Sequence, residues 1–207
     1  MKSHRVIPEN ETTREKILRV AEQEIYLHGY QGFRIDALLK NAQIAKGALY
    51  HYFPTKLDIG YAVVDEVITG YFLDFWKTAG DQAQGDVLQG IQSFLRDREQ
   101  EFSDGECTNG CGLTNLIQEM SMIDEGFNQR LRQVVELVIR TVADAITLAQ
   151  QFGQIKPSVK PLATAHFILA SYQGIMGVAK CMQNAELVNG LFNSLCEYVE
   201  SLRADLM

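Results

Sequence analysis

The sequence predicts an all-α chain, and three observations carry that prediction. Apolar residues recur at three- and four-residue spacing over long stretches, β-type alternation is hard to find, and proline is confined to Pro8, Pro54, Pro157 and Pro161. The pattern divides the chain into a small trihelical head over residues 1–56 and a larger helical body over residues 57–207.

Each element follows from periodicity and punctuation. Thr12 with Glu15 is a capping-box pattern that starts a helix, Ile17, Ala21 and Ile25 form its inner stripe, and Gly29 supplies a left-handed stop after His28. Short helices are expected over 35–42 and 46–53, with only "AQIA" between them. Pro54 ends the second of these, because the residue before proline avoids helical torsions. Ile59, Val63, Val67, Tyr71 and Phe75 fall four apart, with Ile68, Phe72 and Trp76 widening the stripe, so a fourth helix is expected over Leu57 to Ala79. Asp81 to Asp86 is loop-like. Leu88, Ile91, Leu95 and Phe102 mark the next helix, and Ser103 to Gly112 a second loop. Phe127, Leu131, Val135, Val138, Val142 and Ala145 mark a long helix, and "FGQIKPSVKP" separates it from two last helices over about 161–183 and 185–205.

At 207 residues the chain can bury a proper core, and 46% hydrophobic with 22% charged residues suits a globular protein. Even "AHFILASYQGIMGVA" is interrupted by polar residues and glycines, so no membrane span is expected. The basic start "MKSHRVIPENETTREK" lacks the apolar stretch of a secretory signal, which makes a soluble, cytoplasmic protein the expectation. Four unevenly spaced cysteines read as reduced thiols. Net charge is −7, but its distribution is uneven: +2 over residues 1–60, with three of the four histidines, and −9 over the remainder. Such a split suggests an anion-facing module on an acidic body.

Two short helices joined by a tight turn form a helix-turn-helix, whose second helix enters the major groove. That geometry explains the ring-rich stretch "AKGALYHYFPTK". Lys46 at the start of the reading helix reaches base edges or phosphate, and Gly47 and Ala48 are small enough to let the helix approach the bases. Tyr50 and His51 donate to phosphate oxygens, and Lys56 adds a charge contact. Leu49, Tyr52 and Phe53 are expected to face inward.

With the first helix "TREKILRVAEQEIYLHGYQGF" and the preceding "ALLKNAQIAK", the run "GALYHYFPTK" closely resembles the DNA-binding domain of the TetR (tetracycline-repressor) family of bacterial transcription regulators, over about residues 12–60. Farther on, "GCGLTNLIQEMSMIDEGF" is similar to a stretch early in the ligand-binding domain of a large subgroup. The resemblance implies a helix-turn-helix DNA-binding domain over 1–56 and an effector-binding and dimerisation domain over 57–207. It further implies double-stranded operator DNA and a small-molecule effector as partners. The expected regulator is a repressor, released from a palindromic operator by a hydrophobic or aromatic molecule. Three positions depart from the family's usual choices: Arg34 where Thr or Ser commonly caps the second helix and touches phosphate, Gln43 where the turn usually has Gly, and Ala45 where Ser or Thr is usual. Arg34 can replace the phosphate contact but not the cap, whose loss costs about 1 kcal/mol.

The resemblance also implies that "LATAHFILASYQGIMGVAKCM" and "LVNGLFNSLCEYVESL" pair with those of a second copy, and both are apolar on more than one face. Gly174 and Gly177 would permit close backbone approach. Candidate lining residues of the effector pocket are Trp76, Phe94, Phe102, Leu113, Ile117, Met120, His166 and Tyr172.

Cys107 and Cys111, as C-x3-C, suit zinc poorly, since a matching second pair is missing. A redox-responsive regulator through this pair is the alternative reading, although Asp104 and Glu106 would raise rather than lower a thiol pKa. A thiol enzyme with Cys111 as nucleophile and His166 as base would need an oxyanion motif that the sequence does not show. No catalytic residue, metal site or cofactor is therefore expected.

Overall fold

Local signals set most helix boundaries, starting with α1 (Thr13–Gly32). The Thr12 hydroxyl accepts the Glu15 N–H, and the Glu15 side chain accepts the Thr12 N–H in return. Gly29 sits at φ 73° and breaks the helix where the stop was expected, but one further turn follows it. Next come α2 (Ile35–Ala42) and α3 (Lys46–Tyr52). Phe53, before Pro54, is extended, as the ring of that proline requires. The remaining elements are α4 (Lys56–Ala62), α5 (Val87–Ser103), α6 (Gly112–Met120), α7 (Glu125–Gln151), α8 (Pro161–Met182) and α9 (Ala185–Ser201).

The computed structural model describes residues 10–74, 85–105 and 108–204. Among these the architecture is all-α, with one isolated antiparallel bridge between Ile155 and Arg203. The helix expected over Leu57 to Ala79 begins as α4, passes through a π-helical segment at Val63–Ile68 and is again α-helical over 69–74. Thr69 holds the wider turn: its N–H and its hydroxyl both donate to the Val64 carbonyl, five residues back, the hydroxyl at 2.9 Å. Phe75 to Ala79, including Trp76, lie outside the described residues, as do Cys107 and most of the Asp81–Asp86 loop.

The chain forms two compact units. One contains residues up to Tyr71 together with Gly112–Val134; the other contains Phe72–Cys111 and the chain from Val135 onward. In the first, Ile17, Ala21, Phe33, Leu38, Leu49 and Ile59 are almost fully buried, as are Leu113 and Phe127. The second closes around Leu88, Ile91, Leu95, Ile146, Val188 and Phe192. Burying each such side chain contributes about 1.5–3 kcal/mol.

By length and composition alone α8 is apolar enough to cross a membrane, a property that the core helix of a soluble protein shares. Its buried stripe of Ala165, Leu169, Tyr172, Met176 and Ala179 is packed inside the second unit, with α9 as a neighbour.

Candidate functional site

The head is built so that α3 has one locked face and one open face. Leu49 and Phe53, four residues apart, are buried, and Phe53 also lies under the Arg14 guanidinium at 5.2 Å. Arg14 is itself paired with Glu66 of the π-helical segment. The Asn41 amide of α2 donates to the buried Glu24 of α1 at 2.6 Å. Between α2 and α3, Gln43 takes the left-handed conformation at φ 52°, and the Ile44 N–H returns to the Leu39 carbonyl. The turn thus keeps the geometry that glycine usually supplies, at the strain cost of a side chain there.

Lys46, Gly47, Tyr50 and His51 are all exposed, and Ala48 is half-buried. The Lys46 ammonium lies 5.9 Å from the Tyr50 ring. Tyr52 is 41% exposed and packs edge-on to His51 at 5.1 Å, so the expectation that it faces inward is overturned. Successive helical residues turn by 100°, and four rings in a row cannot share a face. Leu49 and Phe53 take the inner face, and Tyr50, His51 and Tyr52 are left on the outer one.

Arg34 is the exposed N-cap residue of α2, and Ala45 is the N-cap residue of α3. Neither N-cap side chain accepts a hydrogen bond from the first turn of its helix. The start of α4 is closed instead by Thr55 and Asp58. Lys56 is half-buried, with its ammonium 4.8 Å from the Tyr30 ring and 5.4 Å from that of Phe33. Burial, followed by the repulsion of nearby Arg34, draws the Lys56 ammonium below the usual lysine range, against an opposing pull from Glu119. Arg34 and Lys56 therefore repel one another.

The second unit contains an apolar cavity of about 20 Å³, lined by Phe72, Ile91, Phe94, Val138, Val142, Ala165, Ile168, Leu169 and Tyr172. It has room for little more than one water. Of the eight sequence candidates, Phe94 and Tyr172 line it, with ring centroids 5.0 Å apart. Phe102 is buried but does not line it, and Leu113, Ile117 and Met120 belong to the other unit. His166 is exposed, its Nδ1 donating to the Leu162 carbonyl at 2.7 Å, which turns the ring away from the apolar interior. Trp76 lies outside the described residues. Sequence reasoning missed Phe72, Ile91, Val138, Val142 and the Ala165/Ile168/Leu169 stripe, whose only signal was helical spacing shared with the ordinary core. Cys111 is buried and Cys181 exposed.

A helix-turn-helix head with an open reading face, joined to a helical body, defines the class of DNA-binding transcription regulators. Residues 17–61 match the family described as "Bacterial regulatory proteins, tetR family", and residues 87–195 match "Tetracyclin repressor-like, C-terminal domain". The chain belongs to the TetR family of DNA-binding transcriptional regulators. It is 28% identical over 173 residues to the transcriptional regulator AcuR of Cereibacter sphaeroides, covering 84% of this chain and 78% of AcuR. To the HTH-type transcriptional repressor NemR of Escherichia coli it is 24% identical over 174 residues, 84% of this chain and 87% of NemR. The crystal structure of E. coli NemR in its reduced form shares the fold, with a TM-score of 0.80 at 24% identity over 93% of this chain and 98% of that one. A TetR regulator from Rhodobacter sphaeroides aligns with a TM-score of 0.80 at 25% identity, over 90% and 98%.

Proposed function

We propose that this chain is a cytoplasmic repressor that acts as a homodimer on a palindromic operator and is released from it by a small hydrophobic or aromatic molecule. The observation that carries the reading is the division of α3: Leu49 and Phe53 lock it into the head, while Lys46, Tyr50, His51 and Tyr52 stand outward. Arg34, Gly47, Ala48 and Lys56 complete the proposed DNA contacts. An effector would enter at the Phe94–Tyr172 cavity, where eight apolar side chains surround a single hydroxyl and the space must expand to admit a ligand. Exposed Leu162, Phe167, Val178 and Met182 on α8, with Leu187 on α9, favour a second copy as the body's partner. A mobility shift with the DNA flanking the chain's own gene tests the reading: a shift that weakens steeply with salt is expected. No shift at low salt with any flanking fragment would overturn it.

Redox-controlled release through Cys107 and Cys111 is the second reading. It is favoured by the relative NemR, whose solved structure is described as a reduced form. The burial of Cys111 argues against direct access by an oxidant. If hydrogen peroxide releases DNA from the wild type but not from Cys107→Ser/Cys111→Ser, the redox reading replaces the effector reading.

A further inference from the structure

Where α1 breaks at Gly29, the turn that follows begins with N–H groups that have no carbonyl one turn back. Glu119 of α6 takes two of them. One carboxylate oxygen accepts the Tyr30 N–H at 2.9 Å and the other accepts the Gln31 N–H at 2.8 Å. Charge-assisted bonds of this kind are about twice as strong as neutral ones. A Cβ at position 29 would lie 2.8 Å from Glu119 Oε2, so glycine serves both the left-handed torsion and the close approach of the carboxylate.

The turn held in this way has Lys56 on it. The Tyr30 ring lies 4.8 Å from the ammonium, and the Gln31 carbonyl accepts from Nζ at 3.4 Å. The Phe33 ring, which follows the turn, is 5.4 Å from the same ammonium. Tyr30 is fixed from its other side by Phe127, at 4.6 Å between ring centroids. Two of these Lys56 neighbours, Tyr30 and Gln31, are the residues that Glu119 holds, and Phe33 follows them within the same turn's reach. A lysine stem is rich in rotamer entropy, and an ammonium already placed loses less of it when a phosphate arrives.

We infer that Glu119 is a positioning residue for DNA recognition: its carboxylate fixes the last turn of α1, and that turn presents the Lys56 ammonium to a phosphate. The inference rests on the reading of Lys56 as a DNA contact. A purely structural Glu119 would instead lower stability and affinity independently of Lys56.

The test uses the full chain and a duplex recovered with the wild type from random-sequence DNA, with affinity measured across a series of salt concentrations. Lys56→Ala should flatten the slope of log K against log salt by about one unit. Glu119→Ala should flatten it by the same amount, and the double variant Glu119→Ala/Lys56→Ala by no more than either alone. Glu119→Gln keeps one acceptor oxygen and should fall between wild type and Glu119→Ala. A wild-type slope in Glu119→Ala, or slope losses that add in the double variant, overturns the inference. Should circular dichroism show Glu119→Ala unfolded, Glu119→Gln decides, and a wild-type slope in that variant overturns it. If Lys56→Ala itself leaves the slope unchanged, the Lys56 contact fails and the inference fails with it. If Lys56→Ala flattens the slope and Glu119→Ala does not, only the role of Glu119 falls.

Discussion

The Tyr61 hydroxyl donates to Asp124 Oδ1 at 2.7 Å, and the same oxygen accepts the Phe127 N–H at 2.8 Å. One carboxylate therefore caps α7 and ties it to α4. Arg130 closes the group, with its guanidinium 4.1 Å from the Tyr61 ring and its Nε donating to Asp65 at 2.9 Å. A Cβ at Gly126 would collide with the Tyr61 hydroxyl, which explains a glycine in the first turn of α7.

This pair predicts a pH dependence with a definite sign. The Tyr61 hydrogen bond, then the Phe127 N–H, hold the Asp124 carboxyl below the usual carboxylate range. Its stabilisation is thus complete above the ordinary aspartate value of about 3.9 and is lost as pH falls through the lowered value. The same bond, helped by burial, raises the Tyr61 phenol, so that contribution is complete below about 10 and is lost as pH rises through the raised value. Urea unfolding should show Tyr61→Phe losing less stability than the wild type between about pH 4 and pH 2. Asp124→Ala should cost about 1 kcal/mol at neutral pH through loss of the cap. Equal acid sensitivity in wild type and Tyr61→Phe would refute the coupling.

The outward position of Tyr52 predicts that the two sides of α3 respond differently. Leu49→Ala empties a fully buried site and should destabilise by about 2–5 kcal/mol. Tyr52→Ala and His51→Ala should leave the free energy of urea unfolding within about 0.5 kcal/mol of wild type while weakening DNA binding. Lys46→Ala should lower the salt slope by about one unit. A Tyr52→Ala variant as unstable as Leu49→Ala would return that ring to the core.

Helix ends were legible because their signals are local. Thr12 with Glu15, Gly29 and Pro54 each act within a few residues, and the structure puts boundaries or breaks at them. The lateral face of a seven-residue helix was less legible, since one 100° step moves Tyr52 from core to surface. The π-helical segment was hidden because Val63, Val64, Val67 and Ile68 keep an apolar stripe in either helix type, and only the Thr69–Val64 bonds reveal it. Likewise nothing short-range marks Glu119 as the partner of Tyr30, 89 residues earlier. For the cavity, Phe94 and Tyr172 were readable as aromatic side chains on inward faces, whereas Leu113 and Met120 have the same periodicity and pack in the other unit.

Two of the three departures at the reading head predict stabilising substitutions. Ala45→Ser restores an N-cap oxygen to α3 and should add about 1 kcal/mol. Gln43→Gly removes a side chain from a left-handed position and should add up to about 1 kcal/mol. Both should raise the urea midpoint without changing the slope of the transition. A lowered midpoint for Ala45→Ser would mean that the α3 N–H groups are already satisfied.

Dimerisation gives the last prediction, and it follows from spacing on two helices. On α8 the exposed residues Ala163, Phe167, Ala170, Gly174, Gly177 and Cys181 succeed one another by alternating steps of four and three. On α9, Leu187, Gly190, Ser194 and Glu197 do the same by three and four, also exposed. Phe167 and Tyr198 join the two rows, with ring centroids 4.7 Å apart. Steps of four and three keep residues on one seam, and small residues along it let a second backbone approach. A Cβ built at Gly174, Gly177 or Gly190 meets no heavy atom within 4 Å, so these glycines are not needed by the fold of one copy. In a helix interior each costs about 1 kcal/mol relative to alanine, a loss that contact with a second copy would offset. Gly174→Arg should therefore leave helicity and cooperative unfolding intact, yet convert a dimer at micromolar concentration into a monomer by sedimentation. Specific DNA affinity should fall with it, because two reading heads must be held about 34–36 Å apart to engage both half-sites. Gln133→Arg, at an exposed helical site outside the seam, serves as the control and should remain dimeric. A Gly174→Arg chain that still sediments as a dimer would move the interface off this seam.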